Sequence, residues 1–183
     1  MKSKGVNVIL VGYPGAGKSL FAKLLQERYG YRIIEMGQYV KEACLKKNCS
    51  PYECANIFYQ TGRETYFAEK LVEERLKYPY DDVVIVGPRT PKEIKYLKTY
   101  LCQTISIAIN SNATTRLCRR AKQTQRKDEF SLWCRDYLES TWDLFSAMKQ
   151  CDYQINNSEN SSCENCLDDI VNWIKKNNIT THP

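Results

Sequence analysis

Val6-Asn7-Val8-Ile9-Leu10-Val11, running straight into Gly12-Tyr13-Pro14-Gly15-Ala16-Gly17-Lys18-Ser19, decides the fold of this chain. The first six residues are apolar and β-branched with one polar exception, the pattern of a short strand buried on both faces of a parallel sheet. The next eight satisfy G-x-x-x-x-G-K-[ST] at every fixed position. Glycines in such a turn let backbone N–H groups point at one anion without Cβ clashes. The helix that follows offers the positive end of its dipole. Leu20, Phe21, Leu24 and Leu25 carry helical spacing, and Gly30 stops the helix as a C-terminal glycine does. Strand, loop and helix in that order are the context that a phosphate loop requires. Gly12, Pro14, Gly15, Ala16, Gly17, Lys18, Ser19 and Leu20 are therefore the expected nucleotide-binding residues. Lys18 reaches the β- and γ-phosphates, and Ser19 supplies a hydroxyl to Mg²⁺.

Outward from the loop, strands and helices alternate. Short strands are expected at Arg32–Met36, Val83–Val86, Ile105–Ile109 and Tyr153–Asn156. Gln38 to Lys77 reads as helical with a break near Asn48–Pro51, where Ser50 caps and Pro51 opens the next helix. Thr90 and Pro91 repeat that signal after the third strand. From Asn112 the chain is helical and basic, with Arg116, Arg119, Arg120, Lys122, Arg126 and Lys127. Leu132 to Phe145 reads as a further helix, in which Trp133 and Trp142, like Trp173 in the closing helix, are expected in the core. The alternation implies an α/β, three-layer fold around a five-stranded parallel sheet, with its ligand beyond the carboxyl ends of the strands.

Composition agrees. The 183 residues are 43% hydrophobic and 26% charged, an ordinary globular balance that favours one domain over 1–183. The net charge of +6 suits a phosphate-bearing partner and is too small to mark a nucleic-acid binder. No apolar run approaches a membrane span, and the six-residue run Val6–Val11 is too short for a secretory signal. Nine cysteines, an odd number, are expected as reduced thiols in a cytoplasmic protein. Cys163 and Cys166 form a lone CxxC, Cys44, Cys49 and Cys54 are evenly spaced, and His182 is the sole histidine, so a structural zinc site is not expected.

The ordered set of motifs resembles an archaeal family of adenylate-kinase-related P-loop proteins, sometimes labelled dephospho-CoA-kinase-like, over about residues 8–175. The matching stretches are the phosphate loop, Met36-Gly37-Gln38-Tyr39-Val40-Lys41 and Val83-Val84-Ile85-Val86-Gly87-Pro88-Arg89. Thr115-Arg116 with Arg119-Arg120, Arg126-Lys127-Asp128, Arg135-Asp136 with Glu139, and Cys151-Asp152-Tyr153 follow in order. The resemblance implies a nucleoside-monophosphate-kinase-like fold with a helical acceptor-binding segment over about 38–78 and a short basic lid over about 112–130. It implies transfer of the ATP γ-phosphoryl group, with Mg²⁺, to a small phosphorylated acceptor of nucleotide or dephospho-CoA type. Lys18, Arg119 and Arg126 are then the expected catalytic cations. Lys41, Arg63 and Arg89 are the expected acceptor-side residues. Two positions depart from the family pattern: Val86 stands where a metal-organising Asp is usual, and Gln38 begins a stretch that is usually Asp-x-x-Arg. Glu35, Asp81 and Asp82 are the nearby acids, read as surface groups. The alternative implied by those departures is a degenerate nucleotide-binding regulator.

Overall fold

The computed structural model describes residues 5–124, 129–158 and 163–178. Arg126 and Lys127 of the expected lid lie outside the described residues, as do the side chains of Cys163 and Cys166. In chain order the elements are β1 (Asn7–Val11), α1 (Lys18–Tyr29), β2 (Arg32–Glu35), α2 (Met36–Lys47), α3 (Pro51–Gln60), α4 (Tyr66–Arg75) and β3 (Val83–Val86). There follow α5 (Pro91–Tyr100), β4 (Thr104–Asn110), α6 (Ala113–Thr124), α7 (Glu129–Thr141), α8 (Leu144–Lys149), β5 (Tyr153–Asn156) and α9 (Cys163–Asn178).

All four strand pairings are parallel and the spatial order is β2-β3-β1-β4-β5. β1 is central, and every residue of β1 and β3 is buried, as their unbroken apolar runs require. The edge strands β2 and β5 alternate in exposure. After β1 the chain crosses to β2 and fills in β3, then crosses over β1 to β4. The sheet's connections therefore reverse beside β1, and the phosphate loop emerges at that switch point.

Two apolar layers cover the sheet. On one face Phe21 and Leu25 of α1 and Leu167, Ile170 and Ile174 of α9 pack against Val8, Leu10 and Ile107. On the other, Met36, Phe58, Phe67, Leu71, Ile94 and Leu144 pack against Ile9, Val11 and Ile85. Ser50 and Thr90 each form a complete capping box with Glu53 and Glu93, and Pro51 and Pro91 open the two helices.

The local structure departs from expectation in three places. Met36 begins α2 instead of ending β2. The segment expected to bind the acceptor holds three helices, because Gly62 at φ 76 turns the chain between α3 and α4. The helix expected over Leu132–Phe145 breaks at Asp143, a left-handed residue at φ 63. Trp142 is buried, but Trp133 is 73% exposed, and Tyr137 and Phe145 are exposed as well. One step along a helix is a rotation of about 100°, so burial of Leu132 turns its neighbour Trp133 outward.

Candidate phosphate-binding site

Backbone geometry builds the loop. Gly12 leaves β1 at φ 154, and a Cβ there would lie 2.5 Å from the Ile109 carbonyl oxygen of β4. Gly17 precedes α1 at φ 105, and a Cβ there would lie 2.4 Å from the Asn157 amide nitrogen. Only glycine fits either place. The Ala16 N–H donates to the Tyr13 carbonyl at 3.1 Å and closes the turn. Ser19 and Leu20 are exposed in the first turn of α1, while Gly12, Pro14 and Ala16 are buried.

Lys18 folds back over the loop. Its ammonium donates to the Gly12 carbonyl at 2.5 Å and the Tyr13 carbonyl at 3.1 Å. Desolvation, with Arg89, Arg135 and Arg116 nearby, brings its pKa down to about 8, against the opposing pull of Glu139. The ammonium is thus held by two backbone carbonyls, with Glu139 as the attracting carboxylate.

Helix α6, in the stretch expected as a lid, splints the loop. Arg116 pairs in bidentate fashion with Asp136 of α7, at 2.8 and 2.5 Å, and donates to the Pro14 carbonyl at 3.2 Å. Its charge is therefore already met by a carboxylate. Arg119 reaches the Ala16 carbonyl and the Asn157 side-chain oxygen, both at 3.4 Å. Asn157, fully buried after β5, donates to the same Ala16 carbonyl at 2.8 Å.

A second group of cations faces Lys18. Arg89 sits after β3, its Nε 3.6 Å from the buried Glu139 carboxylate and its guanidinium carbon 5.4 Å from the centre of the Trp142 ring. Arg135 lies 5.2 Å over the Tyr52 ring, and its buried Nε has no hydrogen-bond partner among the described residues. Burial lowers the Arg135 pKa, with Arg120 and Arg89 adding repulsion. Arg89 and Arg135 thus share the neighbourhood of Lys18 with Glu139, whose carboxylate lies against Arg89. A buried, unpartnered cationic N–H carries a desolvation cost that an anion would relieve.

The expected site residues therefore divide. Lys18, Arg89 and the loop come together. Lys41 is exposed on α2, and Arg63 is exposed between α3 and α4, where its guanidinium covers the Phe58 and Tyr66 rings at 5.3 and 4.7 Å. Arg135 and Glu139 were legible as an i, i+4 pair on one helix face, yet nothing local assigned them to this site. Glu93 was not among the expected residues, although it stands three residues after Thr90, the place of a capping-box partner. Asp82 accepts from the Val6 N–H at 2.8 Å and Asp81 pairs with Arg32 at 2.9 Å, both before β3 at the opposite end of the sheet. Glu35 alone shares the site's end, in register with Val86 on the neighbouring strand. No cluster of three metal-ligating side chains occurs among the described residues. The donor set suits a Mg²⁺ that arrives on a nucleotide, since such an ion keeps waters and phosphate oxygens and needs little beyond one hydroxyl such as that of Ser19.

Sheet order, loop position and the helices on both faces define a P-loop protein of the kinase-like class. No family model matches the chain. It belongs to the UPF0200 family: over 177 residues it is 30% identical to a UPF0200 protein of Saccharolobus islandicus, covering 90% of this chain and 93% of that one. The same identity and coverage hold for a UPF0200 protein of Saccharolobus solfataricus. The adenylate kinase of Thermococcus gammatolerans is 26% identical over 98 residues, 52% of this chain and 44% of that enzyme. Among solved structures, the Thermus thermophilus protein TT1252 superposes with a TM-score of 0.67 at 13% identity, covering 96% of this chain and 98% of that one. Shikimate kinase from Acinetobacter baumannii, in complex with shikimate, gives 0.60 at 20% identity, covering 94% of both chains.

Proposed function

We propose that this protein is an ATP-dependent phosphotransferase that moves the γ-phosphoryl group to a small phosphorylated acceptor of nucleotide or dephospho-CoA type. The observation that carries this reading is the gathering of Arg89 and Arg135 near Lys18, with the Arg135 Nε buried and without a hydrogen-bond partner among the described residues. A nucleoside triphosphate alone needs the loop and Lys18. A second cluster of cations facing them suits a second anion.

In this reading the loop N–H groups and Lys18 hold the β- and γ-phosphates, and Arg119 and Arg126 close from the lid. Arg89 and Arg135 hold the acceptor phosphate, with Lys41 and Arg63 on its outer rim. The nucleophile, a terminal phosphate oxygen of a nucleoside monophosphate or a hydroxyl of a dephospho-CoA-type acceptor that gives up its proton to solvent, attacks the γ-phosphorus in line as the bond to the β-phosphate oxygen breaks, leaving ADP and no covalent enzyme intermediate. The cations neutralise charge that spreads over the transferred group. Bound Mg²⁺, held by Ser19 and phosphate oxygens, would neutralise further charge there. Once phosphates replace the carbonyls around Lys18, its ammonium is favoured again, so the lysine is charged when the nucleotide is in place.

A second reading, a catalytically degenerate nucleotide-binding protein acting as a regulator, is favoured by Val86, a buried apolar residue at the end of β3. Two measurements separate them. Calorimetry with Mg-ATP tests the loop, and absence of binding removes both readings. ADP release, followed across nucleoside monophosphates and dephospho-CoA, tests transfer; tight Mg-ATP binding without acceptor-dependent turnover sinks the kinase. Val86→Asp sharpens the comparison. Turnover that rises by about 10-fold or more identifies a site slowed by a missing carboxylate.

A further inference from the structure

Glu93 does more than cap α5. It is completely buried, which a capping glutamate on a surface helix is not. One carboxylate oxygen accepts from the backbone N–H of Arg89 at 2.7 Å and of Thr90 at 3.1 Å. The other accepts from the hydroxyl of Tyr59 at 3.0 Å, and Tyr59 belongs to α3 in the acceptor segment. Tyr59 packs edge-on against Trp142 with ring centres 5.0 Å apart, and the Trp142 indole N–H donates to the Asn56 side-chain oxygen, again on α3, at 3.1 Å. The Trp142 ring in turn lies beneath the Arg89 guanidinium.

Arg89 is thus held by Glu93 at its main chain, by Glu139 at its guanidinium and by Trp142 at its face, and the Tyr59 hydroxyl also interacts with its side chain. The holds through Glu93 and Trp142 reach α3, and Tyr59 belongs to it. A buried carboxylate is expensive, and here burial raises the Glu93 pKa to about 7 against the pull of Arg89 and its three hydrogen bonds. An apolar residue would fill the space at lower cost, and Thr90 would still cap α5. What it could not do is fasten the Arg89 peptide to the acceptor segment.

We propose that Glu93 is a positioning residue that aims Arg89 at the acceptor, and that it does so only while α3 is docked through the Tyr59 hydroxyl. Acceptor affinity is then coupled to docking of the acceptor segment. This rests on the reading of Arg89 as an acceptor-side arginine.

Three variants test it: Tyr59→Phe, Glu93→Met and the conservative Glu93→Gln. The expected result is an acceptor KM raised about 10-fold in Glu93→Met and several-fold in Tyr59→Phe, with kcat and Mg-ATP affinity little changed, and Glu93→Gln restoring most of the loss. The groups facing Glu93 are Tyr59 from α3 and Arg89 from the loop, with Glu139 of α7 acting through Arg89. A change in acceptor KM near neutral pH that Glu93→Gln abolishes would support the same assignment. An acceptor KM within about twofold of wild type in both Tyr59→Phe and Glu93→Met, alongside lowered thermal midpoints, would reduce Glu93 to a cap and overturn the proposal. Should Glu93→Met not fold, Tyr59→Phe decides, since it removes one oxygen and keeps the ring. Should wild type turn over no acceptor, the kinase reading fails separately, and amide hydrogen exchange at Arg89 and Thr90 decides the positioning role. Exchange about 10-fold faster in Tyr59→Phe upholds it, and unchanged exchange ends it.

Discussion

Replacing Lys18 with Met should make the nucleotide-free protein more stable at neutral pH while ending its response to Mg-ATP. In the folded chain the Lys18 pKa falls from its ordinary 10.5 to about 8, chiefly because the ammonium is desolvated. That displacement corresponds to about 3 kcal/mol of cost for carrying the charge in the folded state at neutral pH. Met fills much of the same space and carries no charge. The replacement forfeits the hydrogen bonds to the Gly12 and Tyr13 carbonyls, at about 1 kcal/mol each. The net gain is therefore about 1 kcal/mol. The sign follows from linkage. A base whose folded pKa is depressed costs stability below that value, and the cost fades as pH climbs from about 8 towards 10.5. Wild type should thus regain stability relative to Lys18→Met across that window, and near its upper end the order of the two should reverse. Urea unfolding of both proteins at neutral pH and at about pH 10 measures this directly. Repeating the neutral measurement with Mg-ATP at about 100 times its Kd should add about 2.7 kcal/mol to wild type and almost nothing to Lys18→Met. A stability difference that does not change with pH would refute the burial argument. Equal stabilisation by Mg-ATP in both proteins would remove Lys18 from the phosphate site.

Gly12→Ala, which meets a backbone oxygen at 2.5 Å, should destabilise by more than about 2 kcal/mol, whereas Gly30→Ala, facing open space at φ 75, should cost about 1 kcal/mol; chemical denaturation compares them. Arg116→Ala should cost about 3 kcal/mol, because it strands Asp136 and unfastens Pro14, and a double-mutant cycle with Asp136→Ala should recover much of that as coupling. Glu93 has a folded pKa of about 7, above its ordinary 4.5, so its stabilising contribution is complete below about 4.5 and is lost as pH rises through 7. Denaturation of Glu93→Gln across that interval should show a shallower decline than wild type, by up to roughly 3 kcal/mol in total.

The parts of this molecule that could be read from the chain are those whose cause is local. A strand buried on both faces declares itself in a run such as Val8-Ile9-Leu10-Val11, because each position faces a covered layer. The phosphate loop declares itself because backbone near φ 105 or φ 154, hard against a neighbouring chain, admits only glycine. Ser50-Pro51 and Thr90-Pro91 mark helix starts because capping is settled within four residues. From these, the parallel sheet and the end of it that holds the site both follow.

Tertiary structure alone decided which charges meet. Arg116 and Arg135 look alike in the chain, yet one is neutralised by Asp136 and the other keeps a buried Nε–H without a partner among the described residues. Asp81, Asp82 and Glu35 look like comparable acids, yet the sheet carries the first two to its far end and sets Glu35 beside Val86. Trp133 and Trp142 share a helical reading, yet a left-handed turn at Asp143 and the burial of Leu132 send them to opposite environments. The physical reason is range. Backbone conformation and capping are set by neighbours within a turn, whereas the field at Lys18 is summed over Arg89, Arg116, Arg135 and Glu139, side chains that crossovers bring together from separate elements.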